Sequence, residues 1–537
     1  MLDANLMASL HNHTSKGSLL DSTIDTEELV IQAKELGYKA VAVTDHGSMS
    51  SFIDLYKSCK KHDIKGIIGV EAYETDDLHY KEADANRYHL LLLAKNNIGL
   101  KNLMKMVSIS YSEGFYQKPR VDRELLAKYS EGIICTSSCL ASRIMRLLVE
   151  GFCPCCKLNN DSHTRDCDYK SEFVPRWDKA KEEIEHYKKI FGNDFYLELQ
   201  SHKSHDQKLG NQRILKLAKE MNIKTIVTFD SHMKSGDEKT MDIHRKFIKV
   251  AQDREVDSIY EDCYQQNMET MYSILREHMS EEDIDNSVLN TGAIADMCNV
   301  EIELGKSKMP QMKLPVGFKD DMDYFKYLLE LGLENRGINK LPLVQRKIYR
   351  DRIEEEIPVL EALGFIDYFI MNYELLQKIA EKKIPTGYSR GSSAGSICFY
   401  LLNVTEIDSI KWDLDFSRFA NLGRIGTLAD VDTDISKYRR SEVIDIAEEL
   451  FGHDRVAHVA TFMTFSSKVC IRDLGKIFNE EGIYDIPYKI RDKIAKLIPE
   501  GLDIDEALNE SGELKRFEKK FPLLFEYTRA LENKPKS

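Results

Sequence analysis

The first 285 residues alternate short apolar runs with amphipathic stretches, and no other feature limits the fold of this chain as strongly. Apolar positions at helical spacing predict helices over 26–36 and 51–61, and others starting near 98 and 206. Short β-prone runs predict strands over 39–43, 65–70, 88–94, 132–136, 195–199 and 223–229. Strands separated by helices pair in parallel, so the expected class is α/β, with a sheet that can close into a barrel.

Metal-type side chains fall at revealing places on this map. His11 and His13 follow the apolar run from Leu6 to Leu10. Asp45 and His46 follow the second strand, and Glu71 the third. Cys139 lies just beyond the strand ending at Thr136, and Asp230 and His232 follow the last strand. His89 sits near the start of its own strand and breaks the pattern. Barrel enzymes keep their active sites at the carboxyl ends of the strands. A single His-x-His is equally well explained by surface or core histidines, but five such positions on strand ends are not.

A second stretch, Ile384 to Asp434, opens with IPTGYSRGSSAGS and closes with LADVDTDIS. The opening places three glycines and four serines around Arg390, so backbone N–H groups, hydroxyls and a planar cation can surround a phosphate. The run from Ser393 to Asn403 reads as a helix whose N-terminus would face that phosphate. Asp430, Asp432 and Asp434 are spaced by two, which on a strand puts three carboxylates on one face, a hard-oxygen set suited to Mg²⁺. Together these parts suit metal-assisted phosphoryl or nucleotidyl transfer.

GYSRGSSAGS, FSRFANLGR, ADVDTDI and ATFMTFSSKVCIRDLGKIF resemble the bacterial C-family replicative DNA polymerases. The resemblance implies a palm of the polymerase beta type of nucleotidyltransferase fold. Within it Arg390, Gly391, Ser392 and Ser396 would hold the incoming nucleotide, and Asp430 and Asp432 would be two of three catalytic aspartates. Ala429 and Ile435 replace the proline and phenylalanine usual beside them. Arg439, Arg440, Lys468, Arg472 and Lys476 follow, where palm passes into a helical thumb; Lys468 and Arg472 lie in the closest motif match and are the expected DNA contacts. Template-directed DNA synthesis from dNTPs on a primer–template is the activity this resemblance implies.

SLHNHTSKGSLLDS, AVTDHGSM, IGVEAY, RYHLLLLA, SSCLA and TFDSHM resemble the PHP phosphoesterase domain that opens many such polymerases. That resemblance implies a distorted barrel with the ligands His11, His13, Asp21, His46, Glu71, His89, Cys139, Asp230 and His232. An intact set implies a three-metal cluster of Zn²⁺, Mn²⁺ or Fe²⁺ and a 3′→5′ exonuclease; the alternative is a metal site that only stabilises the fold. Residues 151–176 interrupt the pattern. Cys153, Cys156, His163 and Cys167 in that insertion have the spacing of a small structural zinc site, with Cys155 to spare, and the alternative is a polar loop with free thiols.

The expected domains are a PHP domain over 1–285, a first palm segment over 286–435 and a thumb over 436–537. The resemblance places the third aspartate and the fingers beyond residue 537, so a second polypeptide completing the palm is an expected partner, and a free-standing phosphoesterase or a non-catalytic assembly subunit are the competing readings. The formal charge of −14 argues against a generic nucleic-acid binder, although a basic channel can be local. No 18-residue apolar run and no secretory signal are present, so a cytoplasmic protein is expected, whose 11 cysteines act as thiols or ligands.

Overall fold

The computed structural model describes residues 1–83, 85–149, 174–252, 261–305, 311–424, 430–459 and 461–536. The zinc-type residues Cys153, Cys155, Cys156, His163 and Cys167 lie outside these. The chain forms two compact units, Met1–Ile302 with Thr461–Ser537, and Glu303–Ala460.

The first unit is built on eight strands: β1 (Ala8–Ser9), β2 (Ala40–Val43), β3 (Lys65–Glu74), β4 (Tyr88–Ala94), β5 (Arg120–Val121), β6 (Ile133–Thr136), β7 (Phe195–Gln200) and β8 (Thr225–Thr228). Their order is β1-β2-β3-β4-β6-β7-β8, with β5 pairing β3 to one side. A parallel bridge between Asn12 and Ser231 joins the two ends of this order, so the sheet closes as a barrel. The sheet is not wholly parallel as expected: β4 runs antiparallel to both β3 and β6. The start of β4 therefore lies beside the carboxyl ends of its neighbours. His89 is misplaced only if its strand is read as parallel.

Strand side chains alternate between two environments, as a two-residue period requires. Leu90, Leu92, Val70, Leu197 and Leu199 pack outward against the helices. Leu91, Leu93, Ile67, Ile134, Tyr196 and Ile226 fill the barrel interior, together with the small Ala8, Ala40 and Ala42. Ile294, Ala295 and Cys298 join that interior cluster. They come from the helix Glu281–Met297 and its C-cap, which pack against β1 and β8. Thr291 Oγ1 accepts the backbone N–H of Ala8 at 2.9 Å. A Cβ on Gly292 would lie 2.3 Å from the Leu6 carbonyl, so only glycine permits this approach. Residues 286–302 thus fall in the barrel unit, beyond the boundary expected at 285.

Residues after 460 also fall in this unit. The helices Ser467–Glu480, Tyr488–Lys496, Ile504–Glu510, Gly512–Lys520 and Pro522–Leu531 share a core that includes Ile471, Leu474, Phe478, Leu524 and Phe525. Phe247 and Ile248, from the barrel-side helix Glu238–Gln252, belong to the same core.

The second unit is helical: Asp321–Asn335, Leu343–Leu363, Ile366–Glu381, Ile397–Leu401 and Arg440–Phe451. Phe325, Leu329, Leu360, Phe369, Phe399 and Phe419 form its core, and the Phe369 and Phe399 rings stack with centroids 3.7 Å apart. The expected strand through Asp430–Asp434 is reduced to two isolated antiparallel bridges, Thr386 to Ile435 and Arg390 to Asp432. Among the described residues no helix is long and apolar enough to cross a membrane.

Candidate metal centre and nucleotide-binding loop

The same alternation that fills the barrel with apolar side chains turns Glu71, His89, Thr136, Glu198 and Thr228 inward near one end. Loops add His11, His13, Asp21, His46, Cys139, Asp230 and His232 at that end. His11 Nε2 lies 3.1 Å from His13 Nε2 and 3.3 Å from both Glu71 Oε1 and Asp230 Oδ1. His13 Nε2 is 3.1 Å from Asp230 Oδ1. His46 reaches Glu71 Oε2 through Nδ1 at 2.7 Å and Asp21 Oδ2 through Nε2 at 3.1 Å. His89 Nδ1 lies 3.0 Å from Glu71 Oε2 and 3.4 Å from Cys139 Sγ. His232 Nε2 lies 3.4 Å from His46 Nε2. All nine residues named from the PHP resemblance therefore meet in one place.

Ligand atoms converge there in three overlapping groups: His13, His46 and His232; His11, His13 and Asp230; His46, Glu71 and His89. His46 Nδ1, Glu71 Oε2 and Asp230 Oδ1 are buried without a hydrogen-bond partner. Their close approaches lack hydrogen-bond alignment, which is costly for buried polar atoms unless a further charge lies between them. Imidazoles, carboxylates and one thiol are donors for divalent transition metals. The donor set and the orphaned atoms fit bound cations.

Electrostatics within the protein divide these groups. Burial holds His13 well below the usual imidazole range, and the stacked rings of His46 and His232, at 4.0 and 4.3 Å, reinforce it. A neutral imidazole is the ligating form. Burial would lower His11 too, but Asp230, Glu198 and Glu71 outweigh it and raise it well above that range. Burial is likewise overturned at His46, which Asp21 and Glu71 push up to about 10. Burial would raise Glu71 and Asp230, yet the surrounding histidines hold both carboxyls well below their ordinary values. Burial, then Glu71 and Asp230, push the Cys139 thiol well up. A divalent cation replaces this internal proton sharing, favouring neutral histidines and a thiolate. Asp230 and Ser138, whose hydroxyl donates to Glu71, both have left-handed backbone, with φ of 50° and 60°. Such strain gathers where side chains must be aimed.

Two carboxylates fall outside the ligand set. Asp45 turns away and accepts from the Thr14 backbone at 2.6 Å and the Ser18 hydroxyl at 3.0 Å, fixing the His11–Asp21 loop. Glu198 was not singled out from sequence. It is fully buried on β7 and accepts from His11 Nδ1 at 2.6 Å, Thr228 Oγ1 at 2.6 Å and the Thr136 hydroxyl. That contact turns His11 Nε2 toward the cluster.

In the second unit the glycine-serine loop runs beside the aspartates. Gly387 N–H donates to the Asp434 carbonyl at 2.8 Å, and Arg390 bridges Asp432. The φ of Gly391 is 70°, and a Cβ there would stand 3.0 Å from Asp432 Oδ2. Asp430 and Asp432 are exposed. Tyr368 faces them: burial raises its hydroxyl, and the two carboxylates add to the shift. Arg390 pairs with Asp434 at 3.1 Å, both side chains more than half exposed. Pairs so exposed are worth about 1 kcal/mol or less, so Arg390 is readily given up to an anion.

Ser396 does not face this loop. It is fully buried and donates to Glu356 Oε2 at 2.7 Å. The same carboxylate accepts the N–H groups of Ile397 at 2.9 Å and Cys398 at 3.3 Å. An internal anion thus occupies the helix N-terminus expected to meet phosphate, and the helix is only Ile397–Leu401, preceded by a 3₁₀ turn. Ser392 is exposed on that turn. Of the expected DNA contacts, Arg472 is tied to Asp492 at 3.0 Å, whereas Lys468 lines a 560 Å³ cavity with Ser466, Ser467 and Gly501. Arg439 binds Glu442 and the carbonyls of Lys382 and Lys383, and Lys476 approaches Glu480.

Comparison with known families shows what the chain is similar to. Residues 9–202 match the family described as PHP domain, and residues 323–537 match the one described as bacterial DNA polymerase III alpha NTPase domain. The DNA polymerase III subunit alpha of Campylobacter jejuni is 35% identical over 97% of this chain and 43% of its own length. That of Helicobacter pylori strain 26695 is 36% identical over 94% and 41%, and that of Aquifex aeolicus 32% over 92% and 41%. Nearly the whole chain is thus similar to DNA polymerase III alpha subunits. The chain spans about two-fifths of the length of these alpha subunits. The family matches leave out residues 203–322, but the relatives align with 92–97% of the chain, so the resemblance read from motifs extends into that stretch.

Proposed function

We propose that this chain carries two phosphate-directed activities of a replicative polymerase alpha subunit: part of the centre for template-directed DNA synthesis, and a metal-dependent phosphodiesterase. The synthesis reading is carried by the bridge between Arg390 and Asp432, which sets a cationic, glycine-rich loop against exposed carboxylates. In it Asp430 and Asp432 hold Mg²⁺, Arg390, Gly391 and Ser392 meet the triphosphate, and Lys468 and Arg472 lie toward the primer–template. The position of Ser396 under Glu356 favours a supporting role for it in shaping the loop.

The hydrolytic reading, including 3′→5′ removal of nucleotides, is favoured by the intact nine-residue cluster at the carboxyl end of the barrel. Divalent metals there would polarise a phosphoryl oxygen and ionise water. His11, His13, Asp21, His46, Glu71, His89, Cys139, Asp230 and His232 would hold them, and Zn²⁺, Mn²⁺ and Fe²⁺ all suit the set. A second polypeptide supplying a third carboxylate is the proposed partner for synthesis.

The test is primer extension and single-strand degradation by the purified chain with Mg²⁺ or Mn²⁺, beside H11A/H13A and D430A/D432A variants. Degradation lost only in the histidine variant supports the hydrolytic assignment. Extension lost only in the aspartate variant supports synthesis and shows that no partner is needed. Neither activity in the parent chain, with capture of a polymerase subunit, would favour the assembly reading.

A further inference from the structure

A path of aromatic and basic side chains leads away from the metal centre along the barrel rim. It starts at Tyr73, two residues beyond Glu71 on β3. The Tyr73 ring centroid lies 6.0 Å from that of His46 and 5.2 Å from that of His89. The ammonium group of exposed Lys118 stands 5.4 Å over the same ring. Lys118 belongs to the segment 113–119, which joins the helix Asn97–Ser112 to β5. Because β5 pairs β3 at Tyr73 and Arg120, this segment is registered against the metal centre.

Farther out, Tyr111 and Phe115 stack with centroids 6.1 Å apart, each about half exposed at 50% and 48%. Met104, 45% exposed, lies two turns earlier on the helix, flanked by exposed Lys101 and Lys105. Arg87 donates to Gln117 at 2.7 Å. Among the described residues Arg87, Lys101, Lys105 and Lys118 form no ion pair. Beneath the segment, fully buried Arg120 donates to the carbonyls of Gly114, Tyr80 and Leu78 at 3.0, 2.7 and 3.1 Å. A buried guanidinium bound only to carbonyls stiffens the segment and leaves its charge uncompensated there. Glu113 and Asp77 are acidic groups on this side, but Asp76, beside Asn86, is already paired with Arg143 at 2.7 Å, so Arg87 and Lys118 keep their charges without an acidic partner among the described residues.

Exposed ring faces alternating with unpaired cations suit a strand whose bases are free to stack and whose backbone is anionic. A duplex hides its base faces, and an acidic peptide does not need the rings. We propose that this strip binds single-stranded DNA and leads it to the metal centre, with bases on Tyr111 and Phe115 and phosphates at Lys118 and Arg87. This rests on the phosphodiesterase reading of the barrel.

Equilibrium anisotropy of fluorescein-labelled (dT)₁₂ with the full chain, in chelator to prevent cleavage, tests the strip apart from the chemistry. Tyr111→Ala/Phe115→Ala is expected to weaken binding at least about 10-fold, and Lys118→Ala to lower the slope of log affinity against log salt by about 1. Tyr111→Trp/Phe115→Tyr is expected to retain binding, which separates stacking from misfolding. With Mn²⁺, the KM for oligonucleotide cleavage should rise at least about 10-fold more than that for bis(p-nitrophenyl) phosphate. No (dT)₁₂ binding by the parent chain, unaltered binding by the double alanine variant, or equal loss on both substrates would overturn the strip. A parent chain that binds (dT)₁₂ through the strip yet hydrolyses neither substrate leaves the strip standing and refutes the hydrolytic reading instead.

Discussion

At the scale of single residues, the barrel separates groups that could bind a metal from a group that aims them. Glu198 touches no other carboxylate in the cluster, yet its contact to His11 Nδ1 fixes which nitrogen faces inward. Supports of this kind typically govern metal affinity by 10–100-fold. Glu198→Ala is therefore expected to lower retained Mn²⁺ or Zn²⁺ affinity by about that factor, measured by competition with a chromogenic chelator. Glu198→Gln, which can still accept from the ring, should recover part of the loss; equal affinity in all three proteins would refute the role. Seven of the nine proposed ligands, His11, His13, His46, Glu71, Cys139, Asp230 and His232, were legible at strand ends; His89 broke that pattern, Asp21 came only with the PHP resemblance, and the strand-end Asp45 faces away. Glu198 was not legible, because nothing marks it except its setting: a lone acid within the apolar run FYLEL. It shares the inward parity of Tyr196, and an unpaired acid is rarely buried in a strand, so that run did hold a usable signal.

At the scale of elements, strand positions were read well and pairing sense was not. The run RYHLLLLA predicts 88–94, and β4 occupies that span. Its antiparallel direction depends on partners far away in sequence, which periodicity does not report. The helix after the glycine-serine loop shows a different limit. Its N-terminus does attract an anion, as the dipole argument requires, but the anion is Glu356 from the helix Leu343–Leu363. Tertiary structure supplies from within the anion that the sequence pattern assigns to a ligand. Removing that carboxylate would strand the Ser396 hydroxyl, two backbone N–H groups and the Arg352 guanidinium, which binds it at 3.0 Å. Breaking a buried charged pair costs about 3–5 kcal/mol. Glu356→Ala should therefore destabilise the protein by about that amount in urea unfolding, and Glu356→Gln by less, because the amide oxygen still accepts. A loss below about 1 kcal/mol would mean that water replaces the carboxylate and that the cap is not structural.

At the scale of the molecule, the units cut across the order in which the motifs occur. The helices from Ser467 onward follow the aspartates in sequence, but they share the core of Phe247 and Ile248 with the barrel unit. The link reaches the metal loop: on the helix Glu238–Gln252, His244 Nε2 donates to the Asp21 carbonyl at 2.8 Å, and Gln252 donates to that of Leu20. Lys534 pairs with Asp25 at 2.5 Å on the far side of the same loop. A metal that binds only the folded barrel stabilises every element that must unfold with it, by about 2.7 kcal/mol at a ligand concentration 100 times Kd. Hydrogen exchange compared in Mn²⁺ and in chelator should then slow in peptides from 467–480 and 522–531 together with those of β3 and β8. Peptides from 321–335 and 343–363, whose core is separate, should exchange alike in both conditions. If the C-terminal helices ignore the metal while the barrel responds, their shared core opens independently of the site, and the Asp21 loop is held by the barrel alone.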